Sequence, residues 1–120
     1  MSQPAPGANV CVVTGTLVRA PELRTLASGA LVASLEVRVP APAGGTALVP
    51  VACPDPRPAV AALAAGAEVA VRGRVHRRFF RAGGRTQSRT EVVADAIVPL
   101  RQRARARRLL ADAVAALDVS

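Results

Sequence analysis

Apolar and polar residues alternate most cleanly between Leu31 and Val39. Leu31, Ala33, Leu35, Val37 and Val39 fall on one face, and Val32, Ser34, Glu36 and Arg38 on the other. Successive side chains of an extended chain point to opposite sides, so this pattern predicts a half-buried strand. The β-branched run Val10 to Val18 predicts an earlier strand, with a bulge or sharp bend at Gly15 and an end at Pro21. Ser28-Gly29 signals a turn between the two. After the loop Pro40 to Gly45 a third strand is expected over Ala47 to Cys53, with Pro50 at an edge or bulge. A fourth covers Glu68 to Val75, with Val69, Val71, Gly73 and Val75 on one face and Arg72, Arg74 and His76 on the other. A fifth, rich in Val and Ile, covers Thr90 to Pro99.

Two segments read as helix. Asp55-Pro56 has the form of an N-cap followed by proline at the first helical position, Pro58 to Ala65 is alanine-rich, and Gly66 supplies a stop. In the segment 101–120, Leu109, Leu110, Ala113, Val114 and Leu117 recur at helical spacing behind Arg101, Arg103, Arg105, Arg107 and Arg108. A basic start opposes the helix dipole, which favours acidic residues in the first turn. Either a solvated basic tail or an extra phosphate contact accounts for it. Three strands, a helix and two strands is the element order of the OB-fold barrel. The expected fold class is therefore all-β: a five-stranded OB-fold barrel with one short helix between strands three and four and a C-terminal amphipathic helix. The expected organisation is a disordered N-terminal arm over 1–8, the barrel over 9–99 and a basic helix or tail over 100–120.

Composition adds a partner class. Net charge is +8, and all sixteen cationic side chains are arginine. Excess positive charge points to a polyanion, and the planar guanidinium grips phosphate bidentately and stacks on bases. The two cysteines, Cys11 and Cys53, lie in apolar runs, and His76 alone could join them as a metal ligand. They read as small buried hydrophobes of a reducing compartment, with neither a metal nor a disulfide expected. No apolar run is long enough to span a bilayer and no secretory signal is legible, so a cytoplasmic, nucleoid-associated location is expected. One histidine and scattered carboxylates make no triad or dyad, and Gly83-Gly84 lacks the lysine of a phosphate loop. No enzyme activity and no cofactor are expected.

The candidate chemistry concentrates in one stretch. Between Gly73 and Val93 the chain reads as strand, long basic hairpin and strand. Arg74, Arg77, Arg78, Arg81 and Arg85 surround Phe79-Phe80, the only aromatic residues present, and Gly83-Gly84 turns the chain. Aromatic faces stack on bases while cationic side chains neutralise phosphates, which is how unpaired strands are held. Phe80 is expected to stack on a base and Phe79, pointing the other way, to pack. Arg19 and Arg24 lie in the first hairpin, a ligand-facing loop in OB-folds, although Glu22 stands ready to pair with Arg24. Arg38, Arg72 and Arg74 project from outer strand faces, where a merely solvated surface is the competing reading. His76 is assigned no chemistry. The candidate nucleic-acid-binding set is thus Arg19, Arg24, Arg38, Arg72, Arg74, Arg77, Arg78, Phe80, Arg81 and Arg85.

These residues also carry a family resemblance. In Asn9 to Arg24, NVCVVTGTLVRAPELR, the residues Asn9, Gly15, Leu17, Pro21, Glu22 and Arg24 follow a pattern of Asn, apolar strand, Gly-x-Leu, spacer and Pro-Glu-x-Arg. SGALVASLEV from Ser28, GAEVAVRG from Gly66 and TEVV from Thr90 follow in order. Across about residues 9 to 98 the chain resembles the bacterial single-stranded DNA-binding protein family. The resemblance implies an OB-fold, homotetrameric assembly, single-stranded DNA as partner bound with little regard to sequence, and roles in replication, repair and recombination. Three departures accompany it. The family stacks bases on several aromatics, whereas Ala43 occupies the loop after strand two and Cys53 stands in place of an aromatic at the end of strand three. At roughly 1–3 kcal/mol per stacked base, two or three missing platforms weaken binding by several kcal/mol per subunit. The chain ends in ADAVAALDVS without the family's acidic, apolar-tipped tail, and its loop between strands two and three is short. The implied protein is a short divergent paralogue. A protein-interaction module with weak DNA binding and an RNA-binding OB domain are the alternatives.

Overall fold

The computed structural model describes residues 7–117. Most of the expected N-terminal arm, residues 1–6, and the final three residues lie outside them. The elements in chain order are β1 (Cys11–Leu17), β2 (Glu22–Thr25), β3 (Leu31–Pro40), β4 (Thr46–Pro54), α1 (Pro58–Ala61), β5 (Glu68–Ala82), β6 (Arg85–Pro99) and α2 (Arg103–Ala116).

The sheet order is β1-β5-β6-β4-β3-β2, and β1 also pairs with β3. That second pairing closes β1, β3, β4, β6 and β5 into a five-stranded barrel. Only the β4–β6 pairing is parallel; the others are antiparallel. This connectivity, with a helical turn between the third and fourth barrel strands, is that of an all-β OB-fold. Closure turns on Thr16, which pairs with Arg38 on one side and Glu68 on the other. Beside it stands Gly15, where a Cβ would lie 2.1 Å from the Arg38 carbonyl oxygen. The expected bend at Gly15 is therefore a close backbone crossing that no other residue fits.

The alternating strands point their apolar faces inward as their period dictates. Leu17, Ala33, Leu35, Val37, Val51, Val69 and Val71 are buried together in one core built almost wholly of small and medium aliphatics. A second, smaller cluster forms outside the barrel wall, where Leu109 packs on Ala70 and Val98. It docks α2, whose buried residues are Leu109 and Ala113.

Four local expectations need correction. The four exposed residues of β2 pair with β3 from Glu22↔Ser34 to Thr25↔Leu31, forming a strand the sequence did not predict. Exposed on both faces, they carry no alternation to read. The helix after β4 is a single turn, not the eight residues expected. Its N-cap is Arg57 and its early proline is Pro58. Asp55 does not cap it: φ at Asp55 is +47°, and its N–H donates to the Leu31 carbonyl, tying it to the end of the sheet. Finally, β5 and β6 do not stop at the barrel rim. Each runs fifteen residues, and their ladder continues unbroken from Gly73↔Ala94 to Ala82↔Arg85. Gly83 and Gly84 join them with φ of +59° and +75°, the two positive angles a two-residue type I′ turn requires.

Candidate nucleic-acid interface

The β5–β6 ribbon presents its arginines according to strand parity. Arg72, Arg74, His76, Arg78 and Phe80 continue the outer face of β5, while Arg77, Phe79 and Arg81 continue the face that is interior lower down. Between Arg74 and Arg89 the chain holds six arginines and no acidic residue. Both aromatic rings lie on this ribbon, outside both hydrophobic clusters. The Arg77 guanidinium lies 5.8 Å from the Phe79 ring centroid and that of Arg78 lies 5.3 Å from Phe80. Contacts of this length are within cation–π range, so each ring has a guanidinium beside it. Phe79 does not pack, contrary to expectation: it is 66% exposed. The ribbon stands clear of the barrel there, so the inward face has nothing beneath it. Phe80 is half-buried.

Below the ribbon, the outer face of β3 and β4 forms the floor of a groove of about 560 Å³. Val32, Ser34, Ala52 and Pro54 floor it. Arg19 and Arg24, from the segment around β2, line one side and Arg78 and Arg89 the other. The groove is not purely cationic, because Glu22, Glu36 and Glu91 also line it. Arg19 pairs with Glu36 at 3.0 Å, and Arg78 Nε lies 3.7 Å from the Glu91 carboxylate. Arg24 and Arg89 have no ion-pair partner among the described residues. The Arg78 Nε is buried and makes no hydrogen bond.

The structure thus divides the sequence-derived candidates. Arg19, Arg24 and Arg78 meet in the groove. Phe80 continues the groove-side face of the ribbon beyond Arg78. Arg77 donates to the Ser88 hydroxyl at 3.1 and 2.8 Å on the opposite face, and Arg81 donates to the Gly84 carbonyl at 3.0 Å beside the turn. Arg85 and Arg74 are exposed along the ribbon. Arg38 is exposed opposite Leu48 and does not reach the groove. Arg72 is occupied elsewhere, bonded to Asp95 at 2.8 Å and to Asp112 of α2 at 3.3 Å. A bulge puts Asp95 there: Arg72 pairs with Ala96 and Gly73 with Ala94, leaving Asp95 as the extra residue.

Arg89 is the groove residue that sequence reasoning missed. A legible signal existed. Once Gly83-Gly84 is a two-residue turn, counting outward sets Arg78 opposite Arg89, as the structure has it. Cys53 does not occupy a stacking position, because it points into the core; Ala52 and Pro54 face the groove instead. Both cysteines are free. Burial, with a further push from the Asp55 carboxylate, raises the Cys53 thiol above its ordinary pKa. Among the described residues, no cluster of three or more metal-ligating side chains forms and no helix is long and apolar enough to cross a membrane. Comparison of the chain with protein-family models and with curated proteins finds no match.

Proposed function

We propose that this protein binds single-stranded DNA along the β3–β4 groove and the β5–β6 ribbon, without catalysis and with little sequence preference. One observation carries the reading: the only two aromatic rings of the chain stand outside the core, each beside a guanidinium, on a ribbon of six arginines whose one acidic neighbour in the ladder is Glu91. Neither ring belongs to a core cluster, and a flat face beside phosphate-binding cations is what an unpaired base with its backbone requires. Arg19, Arg24, Arg78 and Arg89 contact phosphates, while the small floor residues let bases approach the sheet. Phe79 and Phe80 supply two stacking faces, on opposite sides of the ribbon.

The groove glutamates set the character of the binding. Four arginines against three glutamates leave a single net positive charge in the groove. Affinity therefore depends on the ribbon and falls steeply with salt. This role fits the resemblance to the bacterial single-stranded DNA-binding proteins, and with it a cytoplasmic place in replication, repair or recombination and a homotetrameric assembly. Anisotropy titration of labelled oligo-dT, matched oligo-rU and a duplex, each at two salt concentrations, tests the reading. Preference for oligo-dT is expected; binding to none of them in dilute buffer refutes it, and preference for oligo-rU makes the ligand RNA. A second reading rests on α2, where Leu110, Val114 and Leu117 are exposed. That stripe favours a protein-interaction module.

A further inference from the structure

We propose that a second basic cleft, between α1 and α2, extends the path of the bound strand beyond the groove. This inference rests on the single-stranded DNA reading and names where the strand goes next. The cleft has a volume of about 450 Å³. Arg105 and Arg108 line it from α2, and Arg57 lines it from the start of α1. Arg105, Arg108 and Asp112 share one helix face at spacings of three and four residues. Leu109, buried beside them, fixes that face toward the barrel. Asp112 and Asp95 share Arg72, so Asp55 is the one acid of the cleft without an ion pair, and four arginines against three aspartates leave a single net positive charge, as in the groove.

Three arginines are thus left exposed around a concavity, and none is ion-paired among the described residues. Like charges three apart on a helix repel, and a bound phosphate relieves that repulsion. A solvated basic face needs no concavity and no opposing arginine from another element.

The cleft adjoins the groove. Pro54, at the end of β4, borders both, and the consecutive β6 residues Val93 and Ala94 line one each. A strand leaving the groove over the end of β4 therefore comes directly onto Arg57, Arg105 and Arg108. This gives the basic start of α2 a purpose: it continues the phosphate track around the barrel on a side where no aromatic stands.

The variant Arg57→Ala/Arg105→Ala/Arg108→Ala separates this proposal from the groove itself. It is titrated with oligo-dT of about 8 nucleotides, short enough for a single OB groove, and of about 20. Affinity for the short oligomer is expected to be unchanged, which also shows that the groove remains folded. Affinity for the long one is expected to fall by about tenfold or more at low salt, and its salt slope to shrink by about 2, at roughly 0.7 per lost phosphate contact. Equal behaviour of the two lengths, whether both unchanged or both weakened, overturns the cleft as an extension. Failure of the unaltered protein to bind either oligomer overturns the groove reading, and the cleft with it.

Discussion

Arg78 lies over the ring of Phe80 at 5.3 Å from its centroid, so one guanidinium both props the ring and lines the groove. Removing Arg78 takes the guanidinium from the Phe80 ring, whereas removing Phe80 leaves Arg78 its ion pair with Glu91. Phe80→Ala and Phe79→Ala are each expected to weaken oligo-dT binding by roughly 1–3 kcal/mol, the value of one stacked base. Anisotropy titration reads this directly. Because Phe79 is 66% exposed, its loss is expected to leave the melting temperature almost unchanged. Equal affinity of both variants and the parent protein would remove the rings from the site.

The ribbon arginines act through charge rather than fit. Replacing Arg77, Arg78 and Arg81 together by Ala is expected to reduce the slope of log K against log salt by about 2, at roughly 0.7 per phosphate on a single strand. The same set is measured at several salt concentrations on oligo-dT. A steep slope that survives the triple replacement would mean that other arginines carry the phosphates.

Two glycines differ in what they tolerate. A Cβ at Gly73 would stand 2.0 Å from the Val93 carbonyl oxygen, where β6 is bulged, and backbone cannot move aside cheaply. Gly73→Ala is expected to destabilise the barrel by about 1–3 kcal/mol or more, seen as a lower melting temperature. At Gly83 nothing lies within 4 Å, and only φ of +59° opposes a side chain. Gly83→Ala is expected to cost about 1–2 kcal/mol, confined to the ribbon. The reverse order of the two costs would place the strain at the turn instead of the bulge.

Cys53 gives the protein a pH dependence on the alkaline side. Its folded pKa is raised by burial and then by Asp55, so the folded state holds the thiol proton more tightly than the unfolded chain does. The resulting stability is present below the unfolded thiol pKa of about 8.5 and is lost as pH rises from there through the folded value. Denaturant unfolding between neutral and alkaline pH is expected to show that decline, and Cys53→Ala to reduce it. Native alkylation is expected to modify half-buried Cys11 faster than Cys53.

α2 is held by apolar packing more than by charge. Leu109→Ala removes the central side chain of its docking cluster and is expected to destabilise the protein by about 2–5 kcal/mol. Asp112→Asn breaks only a partly exposed ion pair, with the carboxylate side chain 59% accessible, and is expected to change stability by less than about 1 kcal/mol. Thermal melts of the two variants distinguish these contributions.

Much of the barrel was legible because its strands obey a period of two. Leu35 and Val37 announce an interior face, and strand, helix and glycine order narrows the topology to one closed arrangement. The single-turn α1 was overestimated because alanine content favours helix locally, while Asp55 is pulled into the sheet edge by the Leu31 carbonyl, a contact between distant residues. β2 was invisible for the opposite reason: Glu22 to Thr25 is exposed throughout, and only its ladder with β3 makes it a strand.

By itself, the sequence determined which residues are cationic, which two are aromatic, and that both aromatics and six of the sixteen arginines crowd one hairpin, because charge and composition need no neighbours. It also determined the turn, since only paired glycines accept two positive φ angles so readily. Tertiary structure alone decided which arginines face a common space. Arg72 and Arg78 sit on the same face of one strand, yet a bulge and a packed helix give the first to Asp95 and Asp112, while closure of the barrel sets the second across a groove from Arg19 and Arg24. Period and propensity act over a few residues; these partners are brought together by pairing across the chain, and no local pattern encodes that distance.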